Sequence, residues 1–472
     1  MKGAFQKTTV SIIMPLMSCW VLICLLPGEM AAQSPQLPGD PFNYANPRLP
    51  NFFQSVPDHT PPDNPVTDHG ATLGRVLFYD KKLSANNTTA CASCHLQEKG
   101  FADSLQFSIG FEGGETRRNA MAFANIRYDL PEGFFWDHRA ETMEASVLAP
   151  IEDSLEMGMN LEALTEKIAA LDYYPSLFQS AFGNREVTEE RISKALSQFL
   201  RAMVSYQSPF DSGMTATNGE FSPPFPNYSQ LENDGKFVFR TTQCPECHLA
   251  PLISGAGAFN NGLDTTSADR GKFEISGNPG DLHTFKSTGL KNIELTAPYM
   301  HDGSLATLED VVEHYSSGIR AHATLDPRLP VGGFNFSDYQ KSALAAFMKT
   351  FTDREFISDE KFSDPFPAVT AIAAHESSIP QHPKLYQNYP NPFNPETTIG
   401  FWVSDFGFVQ LKIYDISGRL VKTLIAGERL PGEYWVLWDG RNNAGIEAAS
   451  GIYFYQINME NLEITKKMIL LR

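Results

Sequence analysis

The string Cys-x-x-Cys-His occurs twice in this chain, as Cys91-Ala92-Ser93-Cys94-His95 and as Cys244-Pro245-Glu246-Cys247-His248. With 6 Cys and 11 His among 472 residues, about 0.002 such strings are expected by chance. Two thiols two residues apart reach the two vinyl groups of one porphyrin, and the adjacent imidazole turns under the iron as proximal ligand; the spacing is that of c-type haem attachment. A zinc site would not need a His directly behind each cysteine pair. A thioredoxin-like dithiol would need an α/β context that the surrounding sequence lacks. Two covalently bound haem c groups are therefore expected, one on Cys91, Cys94 and His95, the other on Cys244, Cys247 and His248.

The cysteine inventory agrees with that commitment. Lys2 and Lys7 precede an apolar run from Val10 to Leu26, followed by Pro27, Gly28 and the small residues Ala31 and Ala32. This is the order of a secretory signal, with cleavage near Ala32; an uncleaved membrane anchor is the alternative reading. Removing residues 1–32 removes Cys19 and Cys24, so the exported chain keeps only the four attachment cysteines. None is left for structural disulfides in an oxidising compartment. The formal charge of -18 argues against nucleic acid and anionic lipid as partners.

The two motifs divide the chain. Residues 33–75 are rich in Pro and Asn and read as mostly irregular. From Gly74 to about Met203 the pattern is one of helices and long loops; Ile192, Leu196, Phe199, Leu200 and Met203 share one helical face. Residues 205–229, with Pro209, Gly213, Gly219, Pro223, Pro224 and Pro226, read as an inter-domain linker, and a loop-rich stretch follows over 230–356. After Tyr386 the period changes to short alternating strands, with Val409, Leu411 and Ile413 against Gln410 and Lys412. The expected fold is mainly α: two c-type cytochrome domains with long loops, then a small all-β sandwich. The expected boundaries are a signal peptide at 1–32, cytochrome domains at 45–215 and 226–356, a linker at 357–385 and the sandwich at 386–472.

The residues flanking the two motifs carry a resemblance. Leu73-Gly74-Arg75, Leu77-Phe78-Tyr79-Asp80, Lys99-Gly100-Phe101-Ala102-Asp103, Phe135-Trp136-Asp137-His138-Arg139-Ala140 and Glu156-Met157-Gly158 accompany the first motif. Leu290-Lys291-Asn292-Ile293 and Ala297-Pro298-Tyr299-Met300-His301-Asp302-Gly303 follow the second. Over residues 45–356 the chain resembles the bacterial di-haem cytochrome c peroxidases and their MauG-like relatives. The resemblance implies that the N-terminal haem is the peroxide site and that the C-terminal haem relays electrons, with Trp136 between them. It implies that Glu156 handles protons during O–O cleavage, a task suited to a carboxylate. It also implies a calcium ion between the domains, at positions matching Asn119, Thr296 and Pro298; no acidic cluster advertises that site.

Three departures bear on mechanism. Where the classical peroxidases carry a capping His, this chain has Phe111, in Ser108-Ile109-Gly110-Phe111, and Phe cannot ligate iron. A usual Gln is replaced by Ser146. The sixth ligand of the second haem, a Met in the peroxidases, matches Tyr315, as in the MauG-like proteins. Independently, Thr307-Leu308-Glu309-Asp310 reads as a helix start, after which Leu308, Val311, Val312 and Tyr315 share an inward face and His314 falls off it. Met300 is the rival ligand. His59, His69, His138, His283, His322, His375 and His382 read as ordinary polar residues.

The last 87 residues resemble the C-terminal sorting domain of type IX secretion, on Tyr389-Pro390-Asn391-Pro392-Phe393-Asn394-Pro395, Tyr414-Asp415-Ile416-Ser417-Gly418-Arg419, Trp438-Asp439-Gly440-Arg441-Asn442 and Ser450-Gly451-Ile452-Tyr453. A passive sandwich appendage is the alternative. Taken together, the expectation is an exported di-haem peroxidase located in the periplasm, at the cell surface or outside the cell. The expected partners are hydrogen peroxide, a small electron-donor protein (a cytochrome c or a copper protein), the secretion machinery and, as an option, a second copy of the chain in a homodimer. A MauG-like oxidase acting on a protein or organic substrate is the enzymatic alternative. A di-haem electron carrier is the non-enzymatic one; it would need both irons capped, and Met121, Met143 and Met157 are the available caps for the first.

Overall fold

The computed structural model describes residues 34–130, 132–264, 268–366, 384–388, 391–403, 407–429, 432–459 and 462–471. The expected signal peptide, most of the expected linker, His375 and His382 lie outside the described residues. The chain divides into two compact units, Met1–Ala368 and Val369–Arg472. Among the described residues no helix is long and apolar enough to cross a membrane.

The first unit contains two hydrophobic cores. One gathers around α1 (Asp68–Tyr79), α2 (Met143–Glu152), α3 (Leu161–Ala169), α4 (Tyr174–Phe182) and α5 (Glu189–Ala202). The other gathers around α6 (Pro209–Ala216), α7 (Gln230–Thr241), the one-turn α8 (Cys244–Cys247) and α9 (Phe273–Ser276), α10 (Leu308–Glu313) and α11 (Asp338–Lys349). Helices α1, α5, α7, α10 and α11 each start where a hydroxyl takes a free amide: Thr67 accepts from Gly70, Thr188 from Arg191, Ser229 from Glu232, Thr307 from Asp310 and Ser337 from Gln340. The α5 face expected from its spacing is buried in full, from Ile192 to Met203.

The helix pairs that frame the two cores repeat one contact. In α1 a Cβ on Gly74 would collide with the Ala195 carbonyl of α5, and Phe199 stands beside it. In α7 a Cβ on Gly235 would collide with the Ala343 carbonyl of α11, with Phe347 beside it. In both halves, glycine on the helix before the haem motif lets its backbone touch that of the closing helix, and a Phe four residues on fills the angle between them.

The cores also exchange ends, which corrects the expected boundaries. Phe52 and Phe53, in a 3₁₀ turn at Asn51–Ser55, belong to the second core, whereas Phe356 and Phe362 belong to the first. Arg75 Nε and Tyr79 Oη donate to the Ser363 and Phe362 carbonyls, each at 2.6 Å. Residues 357–366 are therefore part of the haem-binding unit. Nor is 205–229 a linker. Phe210, Met214 and Phe225 are buried in the second core, and the Asp353 carboxylate accepts from Ser205 Oγ (3.0 Å) and from the Tyr206 and Gln207 amides (both 2.9 Å). The prolines that suggested a linker instead start a helix at Pro209 and shape the loop behind it. Two-residue antiparallel pairs, β1 (His248–Leu249) with β2 (Ser254–Gly255) and β3 (Ala258–Phe259) with β4 (Phe285–Lys286), pin the loops around the second motif.

The second unit is antiparallel throughout its named strands. One sheet runs β11 (Leu462–Leu470), β10 (Gly451–Met459), β7 (Gly407–Asp415), β8 (Leu420–Arg429); the other runs β5 (Lys384–Leu385), β6 (Thr397–Val403), β9 (Gly432–Trp438). Val409, Leu411 and Ile413 of the first sheet and Ile399, Phe401 and Trp438 of the second share one core, giving the expected sandwich. Its first strand begins inside the expected linker, at Lys384.

Candidate active site

At each attachment motif the imidazole is fixed by a backbone carbonyl. His95 Nδ1 pairs with the Phe101 oxygen at 2.9 Å and His248 Nδ1 with the Thr288 oxygen at 3.0 Å. A carbonyl can only accept, so Nδ1 carries the proton and Nε2 keeps the lone pair that iron needs. Burial pushes both rings down to about 4, keeping them neutral. The four cysteines form no disulfide; burial pushes Cys91 up to about 12 and Cys94 and Cys247 to about 11. Two thiols and one anchored, neutral imidazole per motif are a donor set that fits haem c. At the second motif they open onto a cavity of about 220 Å³ whose walls include Phe239, Phe259, Leu290, Val311, Val312 and Leu344, a lining suited to a porphyrin face.

Beside the first motif, the chain turns tightly after α2. The Glu156, Met157 and Gly158 amides all donate to the Asp153 carbonyl, at 3.0, 3.1 and 2.9 Å. This presents Glu156 close enough to Cys91 and Cys94 for its charge to act on both thiols. Burial and the nearby Asp153 carboxylate raise the Glu156 pKa, against the pull of Arg139 and Arg117. Phe111 is packed onto the same turn: its amide donates to the Glu156 carbonyl at 2.9 Å, its own carbonyl accepts from Asn86 at 2.7 Å, and its ring lies against Gly158. Ser146, where the family has Gln, donates to its own helix at Met143 O, 2.8 Å.

A short segment joins the two sites. Asn119, Ala120, Met121 and Ala122 line the second cavity. The Met121 carbonyl also meets the His95 ring, and Phe123 lies on that ring with centroids 4.1 Å apart. Trp136 lines the second cavity, donates its indole N–H to the Asn119 carbonyl at 2.8 Å and stands edge-on to His301 at 6.4 Å. It is held there by its own carbonyl, which accepts from Lys286 at 2.8 Å, and by the neighbouring Asp137, paired at 2.5 Å with an Arg118 that also grips Asp269.

Tyr315 and Met300 both line the second cavity, together with His248. Tyr315 is flanked by both attachment cysteines, and burial pushes its hydroxyl up to about 12. The helix that presents it widens into a π turn at His314–Gly318. The wider turn breaks the phase assumed from spacing: His314, expected off the inward face, is buried as well and pairs through Nε2 with the Asn261 carbonyl at 3.1 Å. Asn261 itself was not among the expected site residues; a lone Asn in a loop carries no sequence signal.

The three calcium positions share one cavity wall. Asn119 spends its side-chain N–H groups on the Leu105 and Gln106 carbonyls, both at 3.2 Å. Among the described residues no three His, Cys, Asp or Glu side chains converge to hold an ion. His138 departs from the expectation of an ordinary polar residue. It is buried, sits at φ 59°, and neither ring nitrogen has a hydrogen-bond partner among the described residues.

The chain has known relatives. The family model described as di-haem cytochrome c peroxidase matches residues 68–218, and the FlgD Ig-like domain model matches 399–463. The cytochrome c551 peroxidase of Nitrosomonas europaea is 32% identical over 286 residues, covering 60% of this chain and 79% of its own. The methylamine utilization protein MauG of Methylorubrum extorquens is 30% identical, covering 63% and 81%. A solved MauG-like protein associated with microbial copper homeostasis superimposes with a TM-score of 0.61 at 31% identity, over 68% of this chain and 99% of that one. The chain belongs to the di-haem cytochrome c peroxidase and MauG family, whose members carry covalently bound haem c. It is an oxidoreductase of the cytochrome c peroxidase type.

Proposed function

We propose that this protein reduces hydrogen peroxide at the haem held by Cys91, Cys94 and His95, with electrons delivered by a small redox protein through the haem held by Cys244, Cys247 and His248. The haem held by Cys91, Cys94 and His95 would supply an iron centre for peroxide and the electrons for its reduction. The chain supplies the rest. Glu156 takes the proton from one peroxide oxygen and passes it to the other, which leaves as water; two electrons and two further protons complete the conversion to a second water. Trp136 carries electrons between the sites, through an indole fixed on Asn119. The observation that carries this reading is Glu156: a half-buried carboxyl of raised pKa beside the attachment cysteines, with no side-chain hydrogen bond among the described residues. A pure electron carrier has no use for such a group. Because Phe111 stands where the capping His would be, the fully oxidised protein is expected to react with peroxide directly. Stopped-flow mixing tests this; an oxidised protein inert to peroxide but active after one-electron reduction would mean that another residue caps the iron.

Tyr315 favours a MauG-like variant of the same chemistry. A phenolate is a hard anionic donor that stabilises oxidised iron, whereas the Met300 thioether would raise the potential. Tyr315 would hold the second haem through its phenolic oxygen, and that donor would favour keeping oxidising equivalents for a protein or organic substrate. Calcium at Asn119 Oδ1 and the Thr296 and Pro298 carbonyls would brace the wall that both sites share. The C-terminal sandwich is assigned as a type IX sorting domain, on the motifs that punctuate its strands, and the protein as exported; deletion of 384–472 should then block surface delivery while leaving the signal-dependent step intact.

A further inference from the structure

Two consecutive tyrosines share one buried carboxylate in the core that holds the first attachment motif. Tyr173 Oη and Tyr174 Oη both donate to Asp80 Oδ2, each at 2.8 Å. Neighbours within a helix face different ways. Here Tyr173 stands just ahead of α4 and Tyr174 opens it, so both rings turn to Asp80, with centroids 4.6 Å apart. Asp80 ends α1 and is buried; the Lys82 amide donates to its Oδ1 at 2.8 Å, which leaves Oδ2 to the phenols. Tyr174 is fully buried in the core against which Cys91 packs, and Cys91 is near enough for its charge to act on the Tyr174 hydroxyl. Two residues before Asp80, the Phe78 ring lies 6.5 Å from that of His95. Tyr173 is only half-buried and so reaches solvent.

Neither phenol has a part in the peroxide chemistry set out above. Burial and Asp80 keep both hydroxyls protonated. A phenol that loses an electron becomes a strong acid, so its oxidation needs a base in hydrogen-bond contact, and Asp80 Oδ2 is such a base for both rings. We propose that Tyr173 and Tyr174, sharing Asp80, form a redox-active pair through which oxidising equivalents from the peroxide site reach the surface and oxidise small phenols, one electron at a time. Tyr174 gives one electron to the oxidised site and its phenolic proton to Asp80, leaving a neutral tyrosyl radical. Tyr173 gives an electron to that radical; Tyr174 takes the proton back from Asp80, and Tyr173 passes its own to the same oxygen. A phenol at the exposed part of Tyr173 then supplies an electron, Asp80 returns the proton to Tyr173, and the phenol's proton goes to solvent. Two such turns supply the two electrons that one peroxide needs, and the two protons released match those consumed in forming two waters. This rests on the reading of residues 91–95 as the peroxide site.

The test uses the full-length protein carrying both haems, mixed with hydrogen peroxide in the absence of a protein electron donor. Freeze-quenched samples, with and without ring-deuterated tyrosine, are read by electron paramagnetic resonance; peroxide consumption and the oxidation of guaiacol are followed separately. The wild type should show a tyrosyl signal that narrows on deuteration. Tyr174→Phe should lose that signal and guaiacol oxidation, yet consume the first equivalent of peroxide at the wild-type rate. Tyr173→Phe should keep the signal and lose guaiacol oxidation. Asp80→Asn, which can accept both hydrogen bonds but not a proton, should behave as Tyr174→Phe. Haem content identifies any variant that fails to assemble; if Asp80→Asn does so, the tyrosine variants, each short of one hydroxyl, decide the matter. A wild type that does not consume peroxide overturns the reading of the peroxide site and the relay with it. A wild type that consumes peroxide without a tyrosyl signal, or a guaiacol rate that survives either tyrosine change, overturns the relay alone.

Discussion

At the scale of single residues, the chemistry turns on how the fold holds a few groups in unusual surroundings. Glu156 is kept above the usual carboxylate range by burial and by Asp153. To accept a proton it must be ionised, so peroxide turnover should fall as the pH drops through this raised value rather than near pH 4, the ordinary glutamate range. Glu156→Gln should slow O–O cleavage by about 10²–10⁴ and abolish that acid limb, with haem content unchanged. Rapid-mixing rates across a pH series measure both; an unchanged rate would make Glu156 a bystander. Most of this site was legible from residues alone, because haem attachment is a strict spacing and Phe111 is conspicuous against a family string. Asn261 and the orphaned His138 were not legible. Their significance lies in what the fold places against them, and neither residue type signals that in isolation.

At the scale of elements, the same helix contact appears twice, and it was only half visible beforehand. The α5 stripe announced a buried face, but nothing in the sequence announced that Gly74 and Gly235 would meet facing carbonyls. Replacing either with Ala forces the helix pair apart by the width of a methyl, an overpacking that typically costs about 1–3 kcal/mol. Thermal unfolding of Gly74→Ala and Gly235→Ala should show a loss of that order in each case, and equal stability to the wild type would show that the backbones can part freely. The misread linker has a simple cause. Proline and glycine mark breaks in periodicity, and between residues 205 and 229 those breaks lie among buried Phe210, Met214 and Phe225 rather than in solvent.

At the scale of the whole molecule, the limits of the haem-binding unit are set by packing rather than by the last cytochrome motif. A chain ending at residue 366 should keep both haems and the peroxide reaction. A chain ending at 355 loses Phe356 and Phe362, both buried in the first core, and truncating even one such ring to Ala costs about 3–5 kcal/mol. Phe362→Ala should therefore destabilise the site at residues 91–95, although it lies far beyond that site in the sequence. Haem absorbance followed through denaturant unfolding checks this, and a variant as stable as the wild type would return 357–366 to the status of a tether.

The exchange of ends between the two cores also bears on biogenesis. During synthesis the first cysteine pair emerges long before residues 356–362, and the second pair emerges before them too. Until residues 356–362 follow, the first half lacks its final wall, and its cysteines stay within reach of a porphyrin. The last stretch of the haem-binding chain to arrive closes the half that was made first.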